Sequence, residues 1–525
     1  MELRTIKRAL VSVYDKEGLI EFARGLARHG VELISTGGTR QALVDAGLAV
    51  RDVSAVTGFP EMLDGRVKTL HPLIHGGILA VRDNPRHMDT VASAGIGLID
   101  LVVCNLYPFE KTLARPQSSE EEIIENVDIG GPSMVRAAAK NFHDVAIVTS
   151  PAQYDELIRE LDSRGGALPL VLRQRLAAAA FEHTASYDRA VSDYFGRYLN
   201  EGSFPAVLHL AFARRSILRY GENPHQEAAF YVEPGAGRAC VATAEILHGK
   251  ELSYNNILDL DSAFALVQEF ADPAAVVIKH NNPCGAAMAD TLSDALSRAL
   301  AGDPQSAYGG VLAFNRPIDQ ATAAVLVEPN QFIECIIAVD YEPAALELIT
   351  TRPSWKKNVR LLRTGPIAER SSGEGRNYRQ VRGGLLVQTP DALNEDTTKW
   401  KMTTQRQPTP AKLEDMRFAW VVCKHVKSNA IVLVKDRMVV GVGAGQMSRV
   451  DSVHMASRKA GDRAKGSVMA SDAFFPFRDN VDLAAEAGVV AIVQPGGSIR
   501  DADSIRACDE HGMSMALTGI RHFRH

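Results

Sequence analysis

Residues 8–39 read RALVSVYDKEGLIEFARGLARHGVELISTGGT, and this stretch decides the fold class of the first half of the chain. Residues 8–13 form a short, mostly apolar run of strand type. Leu19, Phe22, Ala23 and Leu26 then recur at helical spacing. His29-Gly30 stops that helix, residues 31–35 give a second strand, and Thr36-Gly37-Gly38-Thr39 opens a second helix. Working outward, strand and helix keep alternating through residues 99–103 and 145–148. That rhythm predicts an α/β unit, a parallel sheet with helices on both faces. A long alanine-rich helical region, Leu168 to Tyr198, closes this half.

The chain has 525 residues, more than one ordinary core accommodates, so several domains are expected. Glu201-Gly202-Ser203-Phe204-Pro205 is the linker candidate. Beyond it the alternation resumes, and residues 274–279, 430–434 and 489–493 read as buried strands. The polar stretch from Arg363 to Arg382 contains Ser371-Ser372-Gly373-Glu374-Gly375-Arg376, and is expected as an exposed loop dividing the second half into two layers. A hydrophobic share of 46% with 23% charged residues is an ordinary globular balance. The net charge of −5 gives no general attraction to nucleic acid or to an anionic membrane. No apolar run is long enough to span a membrane, and the N-terminus lacks a signal-peptide pattern. Six scattered cysteines argue against a disulfide framework and for a reducing cytoplasm.

Two groups of residues carry chemistry. In the first, Ser12 and Lys16 follow one strand, and Ser35, Gly37 and Gly38 follow the next. Helix N-termini at such positions offer free N–H groups to a phosphate, although a plain turn is the simpler reading. Gly65-Arg66-Val67-Lys68-Thr69-Leu70-His71-Pro72 can bring Arg66 and Lys68 onto one anion, or be only a solvated basic loop. Asn105 and Tyr107 close a buried strand, Asp128 precedes Gly130-Gly131, and Lys140 ends the following helix. Ligands of open sheets bind at these strand ends.

In the second group, Arg219-Tyr220-Gly221-Glu222-Asn223-Pro224 is a donor-rich loop. Lys279-His280-Asn281-Asn282-Pro283-Cys284 follows an apolar strand, and His280 suits a general base. Zinc deaminases read P-C-x-x-C, but Ala287 stands where the second cysteine would be and no His-x-Glu precedes it, so a metal-dependent deaminase is rejected. Asn429 lies in Lys427-Ser428-Asn429. Phe474, Phe477, Asp479 and Asn480 belong to a run that either packs the core or walls a flat ligand. Arg521 lies in the tail.

Taken in order, STGGT, GRVKTLHP, CNLYPF, DIGG, AAAKN, RYGENPHQ, KHNNPCG, GVGAGQMSR, SDAFFPFRDN, QPGGS and GIRHFRH span nearly the whole chain. In these the sequence resembles the bifunctional purine-biosynthesis family that joins AICAR formyltransferase to IMP cyclohydrolase. It departs from close bacterial relatives at Asn281, usually Thr, and at Tyr308, usually Phe. The resemblance implies a methylglyoxal-synthase-like cyclohydrolase domain over residues 1–200, with its core in 1–150. A linker at 201–213 and a transformylase over 214–525, of two cytidine-deaminase-like α/β layers without their metal, would follow.

It further implies 10-formyltetrahydrofolate as co-substrate, AICAR, FAICAR and IMP as ligands, and a homodimer in which Arg219 and Tyr220 reach the partner's site. It leaves room for a monovalent cation, and no nucleic acid or membrane is expected. By resemblance Lys279, His280 and Asn429 perform formyl transfer. Phe474, Phe477, Asp479, Asn480 and Arg521 line its pockets. Lys68, Tyr107, Asp128 and Lys140 perform ring closure, while Ser12, Lys16, Ser35, Gly37, Gly38, Arg66, Thr69 and Asn105 hold the 5′-phosphate and nearby groups. A nucleotide sensor, a methylglyoxal-synthase-type lyase and a cytidine-type deaminase are the alternatives from other classes.

Overall fold

A computed structural model describes residues 2–199, 202, 204–237, 239–367, 375–392 and 396–525. Two compact units divide at Ala211 and Phe212. Glu201 and Ser203 of the linker candidate, and Ala368 to Glu374 of the expected loop, lie outside the described residues.

In the first unit, strands β1 (Arg8–Val13), β2 (Glu32–Ser35), β3 (Val50–Asp52), β4 (Leu101–Asn105) and β5 (Ala146–Val148) form one sheet. Its order is β3-β2-β1-β4-β5 and every pairing is parallel. Helix Leu19–Arg28 buries Leu19, Phe22, Ala23 and Leu26, the stripe its spacing predicts. The alanine-rich helix spans Leu170–Gly196 and buries Leu172, Leu176, Ala177, Ala180 and Tyr187. The chain turns back to the other side of β1 when it enters β4. The crevice beyond the carboxyl ends of β1 and β4 is therefore the topological switch point, where open sheets bind ligands.

The second unit centres on a twelve-stranded sheet, ten strands of which fall into two halves of five between the edge strands Glu245–His248 and Lys401–Met402. One half comprises β6 (Ala274–Lys279), β7 (Asn282–Met288), β8 (Gly310–Phe314), β9 (Ile333–Ala338) and β10 (Arg360–Arg363). The other comprises β11 (Ile431–Lys435), β12 (Met438–Gly443), β13 (Val468–Ser471), β14 (Ala491–Gln494) and β15 (Ser514–Leu517). Each half is an antiparallel hairpin followed by three parallel strands. The halves meet edge to edge where Ala287 of β7 pairs antiparallel with Met438 of β12. The two α/β repeats of the second unit thus lie side by side in one sheet.

Period-two alternation explains why these strands are apolar throughout: Val276 and Ile278 enter one core and Ala275 and Val277 the other. The end of the stretch expected as an exposed polar loop forms an exposed strand, Asn377–Val381, which pairs with Gly384–Gln388 beyond it. The division between the repeats lies at the β7–β12 pairing.

Candidate active sites

A cavity of about 640 Å³ opens at the switch point of the first unit. Ser12, Lys16, Gly38, Arg66, Lys68, Thr69, Asn105, Tyr107 and Asp128 all line it. Helix Gly37–Asp45 starts at its edge with Thr36 as N-cap and no side-chain cap, so its first N–H groups remain for a ligand. Lys68 Nζ lies 3.7 Å from where a Cβ on Gly37 would stand. That is ordinary contact distance, and it is the φ of 53° at Gly37 that favours glycine there. Thr69 is buried, with its hydroxyl 3.2 Å from the corresponding point on Gly130. Arg66 pairs with Glu125, and an incoming phosphate would compete with that carboxylate.

Asp128 is fixed from several sides. Its Oδ1 accepts the Gly131 N–H at 2.8 Å, and its own N–H donates to the Tyr187 hydroxyl at 2.7 Å. That hydroxyl donates in turn to the Asn126 carbonyl at 2.9 Å. Burial pushes the Asp128 carboxyl above its ordinary value, against the N–H groups of Gly131 and Tyr107 and the positive charge of Lys68. Tyr107 is 37% exposed and meets Tyr14 edge-on, with ring centroids 6.0 Å apart.

Other expected residues stand differently. Asn105 uses its amide on the backbone, accepting from Tyr14 and Asp15 at 2.7 and 3.0 Å and donating to the Asp15 carbonyl at 2.9 Å. It shapes the loop that carries Lys16. Ser35 is buried and donates to the Val11 carbonyl at 2.7 Å, tying β2 to β1. Lys140 is exposed at the last turn of helix Gly130–Lys140, about 16 Å from the end that faces Asp128. Within this chain the structure does not bring it to the cavity. Sequence reasoning missed Tyr14 and Tyr187. Tyr187 carried no signal, because it reads as one more apolar position of a long helix.

In the second unit, His280 and Asn281 form the two-residue turn between β6 and β7. Their φ values are 53° and 61°, the left-handed pair that a tight hairpin turn of this kind requires. Asn tolerates that region because its short side chain bonds locally. Asn281 donates its N–H to Asp259 at 2.7 Å and accepts from the Ser262 hydroxyl at 3.1 Å. Lys279, half-buried at the end of β6, donates to the carbonyls of Tyr308 and Gly309 at 3.0 and 2.9 Å. His280 is exposed and turned to solvent.

Asn282 Oδ1 accepts the Lys427 N–H at 3.0 Å and so docks this turn against the loop bearing Asn429. Asn429 Nδ2 donates to the carbonyls of Gln446 and Met447 at 2.9 and 3.2 Å, and Oδ1 accepts from Arg449 at 2.7 Å. Arg449 pairs with the fully buried Asp472, which also accepts from Ser428. Neither Arg449 nor Asp472 was singled out in the sequence, though both sit in quoted motifs. Of the Phe-rich run, Phe475 is core, while Phe474 and Phe477 are exposed. Asp479 and Asn480 bond to each other at 2.7 Å. Arg521 stacks over Phe523 at 4.3 Å, and Arg219 over Tyr220 at 4.8 Å.

Fold and sites together define an α/β protein with two polar centres, one of them a cavity at a sheet switch point. The comparisons agree. Residues 18–133 match the model of the MGS-like domain, and residues 138–459 match that of the AICARFT/IMPCHase bienzyme. The bifunctional purine biosynthesis protein PurH of Rhodopirellula baltica is 53% identical over 520 residues, 99% of this chain and 99% of its own. PurH of Bacillus cytotoxicus is 51% identical over 521 residues, 99% of this chain and 100% of its own. A solved structure of ForH is 39% identical, covering 37% of this chain and 100% of its own, but its TM-score of 0.34 is too low to inform the fold. The chain belongs to the AICARFT/IMPCHase bienzyme family and is a bifunctional enzyme of purine biosynthesis.

Proposed function

We propose that the two centres divide the last two steps of IMP formation between them. The second unit transfers the formyl group of 10-formyltetrahydrofolate to AICAR, and the first closes FAICAR to IMP with loss of water. The observation that carries this reading is the cavity at the first switch point, where a raised carboxyl and an ammonium face one space beside a free helix N-terminus.

For ring closure, the carboxamide nitrogen attacks the formyl carbon of the same molecule, so holding the reactive rotamer supplies much of the rate. The helix at Gly37-Gly38, with Ser12, Lys16, Arg66 and Thr69, anchors the phosphate. Lys68 and Tyr107 polarise the formyl oxygen. Asp128 takes the amide proton, because its raised carboxyl is a better base near neutrality. Lys68 supplies the cation near Asp128, since Lys140, which the resemblance includes in ring closure, does not line the cavity within this chain.

For formyl transfer, His280 removes the proton of the weakly nucleophilic AICAR amine as it attacks the formyl carbon, and Lys279 stabilises the oxyanion that forms; a proton then passes to the folate nitrogen, its bond to the formyl carbon breaks, and tetrahydrofolate leaves. Asn429 donates to that oxygen by exchanging its longer bond, the one to the exposed Met447 carbonyl. Phe474, Phe477 and Arg521 supply stacking and charge for the base and the folate. The enzyme works in the cytoplasm as a homodimer. Hairpin Ala213–Leu218 with Ala228–Val232 favours the dimer: it exposes Ile217 and Tyr231 and leads to Arg219-Tyr220. A lone two-stranded ribbon is marginal without cover.

The test is genetic separation of the steps. Lys68→Ala abolishes ring closure and spares formyl transfer, and His280→Ala does the reverse. A folded variant losing both activities would disprove the two-centre assignment.

A further inference from the structure

We propose that Arg524 is a positioning residue for formyl transfer, joining the turn that carries His280 to the loop that carries Asn429. The inference rests on the assignment of those two residues made above. On one side, Arg524 Nη2 donates to the Ser262 hydroxyl at 3.4 Å. That buried hydroxyl donates to Asn281 Oδ1 at 3.1 Å, and Asn281 shares the two-residue turn with His280. On the other side, the Arg524 carbonyl accepts the Ser428 N–H at 2.9 Å, one residue before Asn429. A single residue thus holds the supports of both groups.

A third contact fixes the guanidinium itself. Arg524 Nη1 lies 3.2 Å from His425 Nδ1. An arginine has only donors, so Nδ1 must be unprotonated and the imidazole proton sits on Nε2. Nε2 then donates to Glu269 at 3.2 Å, and the same carboxylate holds Lys424 at 3.0 Å. A neutral imidazole suits this place, since His425 is buried. The rigid fork of the guanidinium reaches His425 and Ser262 at once, which the single ammonium of a lysine does not reproduce.

The experiment uses the full chain with Arg524→Ala and follows both activities. The expected result is a fall in kcat for formyl transfer of about 10- to 100-fold, the scale of a small misplacement of a reacting group. KM for AICAR holds, and FAICAR cyclisation is unchanged. Millimolar guanidinium added to Arg524→Ala restores part of the lost kcat, which a collapsed scaffold would not allow. Ser262→Ala lowers kcat in the same direction, and the double variant is no worse than Arg524→Ala alone, because both act through one path.

Loss of kcat and KM together without rescue overturns the inference in favour of general scaffolding. His280→Gln is assayed in parallel. If it is inactive while Arg524→Ala keeps its kcat, the positioning role is overturned and the assignment of His280 stands. If His280→Gln keeps formyl transfer, the assignment fails, and the inference with it.

Discussion

Acidification should weaken the second unit through one buried imidazole. His425 is 7% exposed, and burial lowers its pKa from the ordinary 6.5 to about 4, against the pull of Glu269 toward the charged form. The sign follows from which state binds the proton first. As pH falls through 6.5 the unfolded chain protonates this side chain while the folded chain does not. The stabilisation is therefore complete above 6.5 and is lost progressively as pH drops toward 4. At about 1.4 kcal/mol for each tenfold step, the shift corresponds to about 3 kcal/mol. All three tryptophans, Trp355, Trp400 and Trp420, belong to the second unit, so their emission in a urea titration reports that unit alone. His425→Gln keeps an N–H for Glu269 but cannot titrate. Between pH 6.5 and 4 the parent should lose about 3 kcal/mol more than the variant. Parallel curves for the two proteins would refute the reasoning.

Two further predictions concern close approaches at glycine. In Gly131→Ala the new Cβ would stand 2.4 Å from Asp128 Oδ2 and 2.8 Å from Leu106 Cδ2, so the carboxyl must move. FAICAR cyclisation should fall by about 100-fold while formyl transfer is kept. In Gly443→Ala the Cβ would stand 2.0 Å from the Ser452 carbonyl oxygen, which belongs to helix Arg449–Ala460. The strand and helix must part at a cost of about 1–3 kcal/mol, read by tryptophan emission in urea. Formyl transfer should fall too, because the Ser452 hydroxyl donates to the Asn429 carbonyl at 2.8 Å.

Strands were the most legible part of the fold, because burial on both faces leaves them apolar whatever they pack against. Ala274–Lys279 forms the strand that its run of apolar residues predicts. The edge-to-edge joining of the repeats was not legible, since it rests on a short pairing between β7 and β12 that looks like any other strand contact. The glycines of Gly441-Val442-Gly443 admit the carbonyls of Ala456 and Ser452 from a packed helix, a close approach that spacing alone does not reveal. In the first site, polar residues at strand ends reached the cavity as their position implied. Ser35 and Asn105 did not stay available to a ligand, because the nearest unsatisfied backbone groups took their side chains. Sequence spacing places a residue on an element, but competition for hydrogen bonds decides what its side chain does.

The repeat sets two like turns in different surroundings. The second hairpin also turns through two residues, Asp436 and Arg437, with φ of 54° and 58°. There too an aspartate on the preceding helix caps the turn: Asp415 accepts the Arg437 N–H at 2.7 Å, as Asp259 accepts that of Asn281. The scaffold is therefore the same, and what differs is the surroundings. Because β7 and β12 pair antiparallel, the two turns lie at opposite ends of the sheet. The tail after β15 passes Asp472, where His522 donates its N–H, and reaches Ser428, so it arrives only at the end holding His280. At the other end Arg437 faces Asp272 and Lys412 faces Asp415, charges that satisfy one another. The first turn instead holds out the exposed imidazole of His280 beside a docked loop, which on the assignment proposed above is where the AICAR amine would meet it.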